Sequence, residues 1–283
     1  MKKICIAVLL ALSLLYVLYA GAMYRKQTAI LFPAASGPAH AFGTALPAGA
    51  ALIEVPVAFG KARAVYWPPR DRTKPASAIW YAHGNYETVQ NSFDLVQPLV
   101  EQGFAVMQFE YPGYGGADGT PEFDAIGEAA DATWDWLARQ PEVDPQRMIA
   151  MGYSIGGGPA AEVTRRRNVA ALVLLSTFTS ITDIAWQYAL PPFLVRFPYN
   201  NIARVGEFKG PIFIEHGRRD EVIPFALGQA LAAAAPHAEF FAQDCGHTDC
   251  HLDQSVFAQR LPAWLDAHPA THSDAGASPP LHD

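Results

Sequence analysis

The chain has 283 residues, of which 51% are hydrophobic and 17% are charged, and its formal net charge is -7. This length and apolar content suffice for one large domain with a sizeable buried core. The acidic balance makes nucleic acid an unsuitable partner, because nucleic-acid-binding domains need clustered positive charge. The densest basic cluster, Arg165-Arg166-Arg167, follows a predicted helix, where cations stabilise the negative end of the helix dipole.

The N-terminal segment, residues 1–26, is predicted to be a membrane anchor or a signal segment. The stretch from Ile4 to Tyr24 carries no charged residue, with lysines at positions 2 and 3 before it and Arg25 and Lys26 after it. As a helix these residues would extend about 31 Å, enough to cross the hydrocarbon core of a bilayer. The flanking charges slightly favour a cytoplasmic N-terminus, which places the following domain on the extracytoplasmic side, periplasmic or lumenal.

A cleaved signal peptide is the alternative interpretation of this segment. Ala20-Gly-Ala22 has the small-residue form of a cleavage site, which would leave a secreted or periplasmic protein. The apolar run is longer than the hydrophobic region of most signal peptides, and this favours an uncleaved anchor.

Residues 27–268 are predicted to form one α/β domain. Strands are predicted at 51–55, 62–67, 76–82, 104–109, 147–152, 169–175, 211–215 and 239–242. Helices are predicted at 89–102, 121–140, 154–167, 224–235 and 255–267. The first two strands read as a hairpin near Gly60. The alternation that follows predicts a mostly parallel eight-stranded sheet flanked by helices.

The C-terminal residues 269–283 read PATHSDAGASPPLHD. They lack apolar periodicity and are rich in Pro, Ala, Ser and His, a composition that predicts a disordered tail.

A serine between glycines is the first candidate for chemistry. The run Met151-Gly-Tyr-Ser-Ile-Gly-Gly-Gly158 contains G-x-S-x-G, the pattern of a nucleophile elbow, in which a strand turns sharply into a helix and presents the serine. The short pattern alone is weak, since a glycine-rich loop with an ordinary serine would read the same. Its position between a predicted strand and a predicted helix supports Ser154 as a nucleophile.

A serine nucleophile needs a base to take its proton and an acid to orient that base. Asp220 and His247 each follow a predicted strand downstream of Ser154, and the site of an open α/β sheet forms at the carboxyl ends of its strands. The order Ser, Asp, His therefore predicts a catalytic triad of these three residues.

Other residues could fill the same roles. The alternative acids are Asp244 and Glu221. The alternative bases are His216, which lies at a strand end, and His251, which lies at the start of the last helix. His237 and His268 are predicted to be solvated.

The oxyanion hole, the set of N–H donors that stabilises the charge developing on a carbonyl oxygen, should come from two loops. One donor is expected to be the backbone N–H of Ile155, directly after the serine. The other is expected to be the backbone N–H of Asn85, in the loop after the third strand, where Gly84 lets the backbone approach a substrate. His83 is expected to organise this loop.

Five segments together resemble the α/β-hydrolase superfamily, from about Leu52 to Ala267. They are His83-Gly-Asn85, Glu110-Tyr-Pro-Gly-Tyr-Gly-Gly116, Gly152-Tyr-Ser-Ile-Gly156, His216-Gly-Arg-Arg-Asp-Glu-Val-Ile-Pro224 and Gly246-His247. Within the superfamily they look most like the membrane-anchored abhydrolase-domain serine hydrolases, which begin with a single span. The resemblance implies the roles given above for Ser154, Asp220 and His247, with no metal and no organic cofactor.

The chain departs from this pattern in two segments. Residues 176–209 form an insertion that is short for a lid. Its aromatic residues, Trp186, Tyr188, Phe193, Phe197 and Tyr199, could line an acyl pocket or pack against the sheet.

The second departure is a pair of cysteines, Cys245 and Cys250, which bracket His247. A disulfide is favoured if the domain faces an oxidising compartment. Free thiols are a second interpretation. A zinc site formed with His247 and His251 is a third, but it would consume the predicted base.

The sequence thus predicts a serine hydrolase that cleaves carboxylic esters, with a small-molecule acyl ester as substrate, through an acyl-enzyme. A peptidase or amidase could use the same triad, and a non-catalytic hydrolase fold acting as a binding module is a third possibility. Substrate identity and oligomeric state do not follow from the sequence.

Overall fold

The computed structural model describes residues 1–36, 46–235, 237–250 and 254–268, and an eight-stranded sheet organises them. The strands are β1 (Ala51–Val57), β2 (Gly60–Trp67), β3 (Ala76–Ala82), β4 (Ala105–Phe109), β5 (Val143–Tyr153), β6 (Ala171–Leu175), β7 (Ile212–Gly217) and β8 (Ala238–Gln243). Their order across the sheet is β1-β2-β4-β3-β5-β6-β7-β8. The predicted α/β fold with an eight-stranded sheet is confirmed.

The sheet is mixed at one edge. Strands β3 to β8 pair in parallel, whereas β2 is antiparallel to both of its neighbours, β1 and β4. The cause is the predicted hairpin: β1 and β2 are joined by a tight turn at Gly60, which has a φ of 130°. Such a short connection can join only antiparallel strands.

Eight α-helices lie in the described residues. They are α1 (Lys2–Leu31), α2 (Phe93–Glu101), α3 (Phe123–Ala138), α4 (Gly157–Val163), α5 (Ile181–Gln187), α6 (Asn201–Glu207), α7 (Phe225–Ala234) and α8 (Gln254–Ala267). Helices α2, α3, α4 and α7 are shorter than the sequence predicts. A 3₁₀ turn at Val89–Asn91 precedes α2, and another at Ser154–Gly156 precedes α4.

Apolar side chains alternate between the two faces of the sheet, and each face is covered. Trp80 packs on one face with Trp134 of α3, and Ile79 packs on the other with Leu99 of α2 and Trp264 of α8. Strands buried on both faces carry nearly continuous apolar runs. Burial on both sides accounts for the run Ala171–Leu175, all of which is buried.

The helix α1 continues to Leu31, five residues beyond the predicted end of the N-terminal segment. Its C-terminal part contacts the domain. The Gln27 side chain donates to the Leu194 carbonyl at 2.7 Å and accepts from the Arg196 N–H at 2.8 Å. Phe32, directly after the helix, is fully buried in the core. The division at residue 26 stays a prediction, and the predicted tail at 269–283 lies outside the described residues.

Residues 176–209, here called the cap segment, leave the carboxyl end of β6 and return to β7. They contain α5, α6 and a bridge between Ser180 and Asn200. The five aromatic residues of this segment separate into two groups. Phe197 and Tyr199 pack in the core, whereas Trp186, Tyr188 and Phe193 are exposed.

Candidate active site

Ser154 stands at a sharp turn between β5 and α4. Its φ is 52°, a left-handed conformation that costs a residue other than glycine about 1–3 kcal/mol. The flanking glycines permit the turn. A Cβ at Gly152 would lie 2.2 Å from the Gly156 carbonyl oxygen, and one at Gly156 would lie 2.1 Å from the Ala82 carbonyl oxygen. The glycine spacing seen in the sequence is therefore a steric requirement of this turn.

A side chain from the cap segment holds the serine backbone in place. The Thr177 hydroxyl, at the start of the cap segment, donates to the Ser154 carbonyl at 2.6 Å. The Ser154 residue is only 7% exposed. Its hydroxyl therefore lies in a nearly water-free setting, where neighbouring charges act strongly.

The structure brings Ser154, His247 and Asp220 into one chain of hydrogen-bond distances. His247 Nε2 lies 3.0 Å from Ser154 Oγ, and His247 Nδ1 lies 2.8 Å from Asp220 Oδ2. An ionised carboxylate accepts only, so His247 Nδ1 carries the proton and Nε2 is free to accept. This arrangement can take a proton from the serine hydroxyl.

Asp220 is held as a carboxylate. Burial alone would raise its pKa, but hydrogen bonds from His216, His247 and the Ile223 N–H outweigh burial and hold the pKa well below its usual range. The Val222 and Ile223 N–H groups both donate to Oδ1, at 2.9 and 2.7 Å. Oδ2 is thereby left to face the histidines.

His216, the alternative base, occupies a different position. It is fully buried, its Nε2 lies 2.8 Å from the Ile223 carbonyl oxygen, and the same atom lies 3.3 Å from Asp220 Oδ2. Because a carbonyl only accepts, this nitrogen donates. His216 thus supports Asp220. A structural hydrogen bond is what a strand-end histidine more often makes, but the sequence does not identify Ile223 and Asp220 as its partners.

The alternative acids, Asp244 and Glu221, are both exposed. Asp244 is paired with Arg219 at the surface, with its side chain 80% exposed. His237 and His268 are exposed, as predicted. His251 lies outside the described residues.

His83 organises the loop after β3, as the sequence predicts. One ring nitrogen lies 2.8 Å from the Gly84 carbonyl oxygen and the other lies 2.9 Å from Glu110 Oε1, so both donate. Burial lowers the pKa of His83, but the charge and hydrogen bond of Glu110 outweigh it and raise the pKa overall. The Tyr114 hydroxyl donates to the Asn85 carbonyl at 2.8 Å, which fixes the next residue of the loop.

Glu87 is a residue of this loop to which the sequence assigned no function. Its carboxylate accepts from the Gly84 N–H at 2.7 Å and closes the turn that contains Asn85. Burial raises the pKa of Glu87, partly offset by His83, by the Gly84 N–H and by His247. A lone glutamate three residues after a glycine carries no recognisable signal, because only the folded loop brings the two groups together.

The cysteines that bracket His247 are joined as a disulfide, Cys245–Cys250, with their Cα atoms 5.2 Å apart. The loop packs on β7, since the Arg219 N–H donates to the Cys245 carbonyl at 2.9 Å and Cys250 is buried. The Tyr153 hydroxyl donates to the His247 carbonyl at 3.1 Å. His247 is thus held through its own backbone, the disulfide and β7.

Glu215, next to His216, gives a pH-dependent stability that can be measured. Burial raises its pKa to about 7, so the neutral form is favoured in the folded state. The contribution of Glu215 to the stability of the folded protein is fully present below the unfolded pKa, near 4.5. This contribution is lost as the pH rises through about 7. Glu215→Gln is expected to remove this dependence. When the pH is raised from 5 to 8, the free energy of unfolding of the variant should therefore rise by roughly 2 kcal/mol relative to that of the unmodified protein.

Urea unfolding at the two pH values measures the difference. Asp244→Asn is the matched control, since an exposed surface pair contributes little. Equal pH dependence in Glu215→Gln and in the unmodified protein would contradict the assignment.

The chain is similar to several known proteins. The family model of Hydrolase_4, described as serine aminopeptidase, S33, matches residues 73–205. A Mycobacterium tuberculosis protein named "Uncharacterized protein Rv2307c" is 31% identical over 233 residues, which cover 81% of this chain and 82% of that protein. The Arabidopsis thaliana alpha/beta hydrolase domain-containing protein WAV2 is 29% identical over 177 residues, 56% of this chain and 58% of the relative.

Two solved esterases have the same fold. The Pyrococcus furiosus esterase Pf2001 superposes with a TM-score of 0.63 and 17% identity, covering 82% of this chain and 97% of the esterase. Thermogutta terrifontis esterase Est2 superposes with a TM-score of 0.62 and 17% identity, covering 78% of this chain and 92% of that protein.

Proposed function

Because this chain belongs to the α/β-hydrolase superfamily, we propose that it is a serine hydrolase that cleaves carboxylic esters with Ser154 as nucleophile. The observation that carries the proposal is the continuous chain of contacts from Asp220 through His247 to Ser154 Oγ. The strained backbone of Ser154 adds support, since strain of this kind persists where the surrounding structure enforces it and clusters at functional sites.

In the proposed reaction, Ser154 Oγ attacks the ester carbonyl while His247 Nε2 takes the hydroxyl proton. The bond from carbon to the alcohol oxygen breaks, and His247 returns the proton to that alcohol. Water then attacks the acyl-serine, again giving a proton to His247, and the acid leaves as Ser154 is restored. Asp220 holds Nδ1–H throughout and stabilises the imidazolium that forms twice.

The negative charge on the carbonyl oxygen would be stabilised by the backbone N–H groups of Ile155 and Asn85. Ile155 follows the nucleophile directly, and Asn85 lies in the loop braced by His83, Glu87 and Tyr114. Rigid donors are effective because they need no reorganisation as the charge develops. The bracing of this loop supports its assignment as the second half of the hole.

A peptidase or amidase is the second candidate, favoured by the serine aminopeptidase description of the matching family. A panel of esters with graded acyl length, assayed beside aminoacyl amides and short peptides, separates the two. We expect kcat/KM to be larger for the esters. Faster cleavage of the amides would reverse the assignment, and no turnover together with no fluorophosphonate labelling would instead favour a non-catalytic binding module.

We also propose that α1 is an uncleaved membrane anchor. This helix is 30 residues long, apolar and largely exposed. Among the described residues, it is the one helix that is long and apolar enough to cross a membrane. The protein is expected to stay in the membrane fraction after an alkaline carbonate wash, since a spanning helix is not released by charge disruption. A soluble mature protein that begins near Met23 would contradict the anchor and support a cleaved signal.

The disulfide next to His247 predicts sensitivity to reductants. By the loop-entropy model so small a ring contributes only about 2 kcal/mol to stability, so its reduction is expected to loosen the His247 loop without unfolding the core. Cys250→Ser and treatment with a reductant should each lower kcat, and neither should abolish the thermal unfolding transition. Cys5→Ser is the control, because Cys5 is free and exposed on α1. Unchanged kcat after verified reduction would contradict the role of the disulfide.

The same disulfide supports an extracytoplasmic position for the domain, because disulfides persist in oxidising compartments. This agrees with the flanking charges of α1. Alkylation of Cys245 and Cys250 in protein taken directly from cells, without a reductant, would argue for the cytoplasmic side.

A further inference from the structure

The loops around the candidate site expose large apolar side chains. Beyond Met1 and α1, six such side chains are exposed in the residues that the structure describes: Leu52, Tyr86, Trp186, Tyr188, Phe193 and Val222. All except Leu52 lie in segments that follow the carboxyl ends of β3, β6 and β7, the edge of the sheet that carries Ser154. These five residues are here called the apolar rim. Single exposed apolar residues are ordinary, whereas a set gathered at one edge marks an interaction surface.

The cap segment carries the most exposed part of this rim. Phe193 is 83% exposed, Trp186 is 64% exposed and Tyr188 is 60% exposed. Trp and Tyr have an apolar body and a polar tip, which suits them to the boundary between a bilayer and water.

The apolar helix α1 is attached to this same part of the cap segment. The Tyr16 hydroxyl donates to the Ala189 carbonyl at 2.9 Å, and the Tyr19 hydroxyl donates to the Tyr188 carbonyl at 2.6 Å. The helix that is proposed to span the membrane therefore fixes the height of residues 188–189 relative to the bilayer.

Helix geometry gives that height. In the span proposed above, Lys3 lies at the far surface of the bilayer, and Tyr16 and Tyr19 stand about 20 and 24 Å from it along the helix at 1.5 Å per residue. The hydrocarbon core is about 30 Å thick. The turn at residues 188–189 consequently lies about 6–10 Å inside the near boundary of the core, a depth typical of interfacial elements.

Cationic groups lie further along α1, at Tyr24 and the two residues that follow it. The Arg196 guanidinium sits over the Tyr24 ring, 5.5 Å from its centroid, and Arg25 and Lys26 follow Tyr24 in α1. Tyr24 is about 32 Å from Lys3 along the helix, which is the level of the lipid headgroups. Arg196 also pairs with Glu122, so it is fixed at that level by the domain itself.

We propose that the apolar rim inserts into the bilayer that α1 spans, so that the candidate site opens toward lipid. This inference rests on the proposed membrane anchor and deepens the proposed function, because it makes the substrate an ester dissolved in the membrane. The charges above the rim fit headgroups, and the aromatic side chains below them fit the acyl boundary.

The test measures depth with fluorescent labels and does not need activity. Full-length protein with Cys5→Ser is given one new cysteine, at Tyr188→Cys, Leu52→Cys or Leu10→Cys, and each is labelled with an environment-sensitive dye. All three positions are exposed, so the substitutions should not disturb packing. The proteins are reconstituted in phosphatidylcholine vesicles and quenched either by lipids with a spin label on the acyl chain or by aqueous iodide.

The label at Tyr188→Cys is expected to shift its emission to the blue and to be quenched by the acyl-chain spin label but not by iodide. The Leu52→Cys label should behave in the opposite way, and the Leu10→Cys label should report the span. A lipid-quenched Leu10→Cys label beside an iodide-quenched Tyr188→Cys label would overturn the insertion while leaving the anchor. Protection of Tyr188→Cys from both quenchers would also overturn it, in favour of contact with a second protein chain.

Discussion

Ser154→Ala is expected to abolish covalent labelling by a fluorophosphonate and to lower kcat by at least about 10³-fold. The hydroxyl oxygen at this position is the atom that His247 Nε2 faces at 3.0 Å, and alanine offers no atom that can carry the acyl group. The residual rate would come from the oxyanion donors and from substrate binding, which the substitution leaves in place.

The fold should survive this change. The contact that holds the turn from outside is made by the Ser154 backbone carbonyl with Thr177, and alanine retains that carbonyl. Ser77→Ala is a suitable control, since Ser77 lies in β3 but near its amino end, away from the candidate site. Labelling that persists in Ser154→Ala and disappears in another serine variant would refute the assignment of the nucleophile.

Asp220→Asn is expected to lower kcat by about 10³- to 10⁴-fold with little change in fold. Asparagine keeps an oxygen that can accept from the Val222 and Ile223 N–H groups, so the loop should persist. An amide in place of Oδ2 can donate to His247 Nδ1, however, which would put the imidazole proton on Nε2. That tautomer cannot take the proton of Ser154.

The same variant also tests the depressed pKa of Asp220. A carboxylate with a lowered pKa contributes stability above its unfolded pKa, near 3.9, and loses that contribution as the pH falls toward the folded pKa. The stability difference between Asp220→Asn and the unmodified protein should therefore shrink below about pH 4.

Asp244→Asn and Glu221→Gln serve as controls for the acid, since both residues lie near Asp220 or His247 in sequence. We expect kcat of both variants to stay near that of the unmodified protein. A large loss in Glu221→Gln with near-normal kcat in Asp220→Asn would transfer the orienting role to Glu221.

The sequence by itself determines features that depend on residues close together in the chain. The elbow is a steric problem within five residues, because β5 must turn without a Cβ at Gly152 or Gly156, and so the glycine pattern marks Ser154. The strands are also local, since short apolar runs bounded by turn residues are typical of buried strands, and their length of four to seven residues distinguishes them from helices. The hairpin at Gly60 is a further case in which neighbours along the chain carry the information.

Contacts between distant residues were decided only by tertiary structure. Ser154 and His247 are 93 positions apart, and Asp220 and His247 are 27 apart; their meeting depends on the order β5-β6-β7-β8 in the sheet. The sequence favoured His247 as the base, but only packing assigns His216 to the support of Asp220 and Glu87 to the Gly84 N–H.

The attachment of α1 to the cap segment is another contact between distant residues that only the tertiary structure decides. The sequence alone determined that residues 4–24 are apolar enough to span a bilayer and that the cap segment is rich in aromatic residues. It did not determine that Tyr16 and Tyr19 would bond to backbone carbonyls at residues 188 and 189. Such hydrogen bonds join groups that nothing in the local pattern distinguishes from other tyrosines and carbonyls, and the fold selects them by bringing two surfaces together.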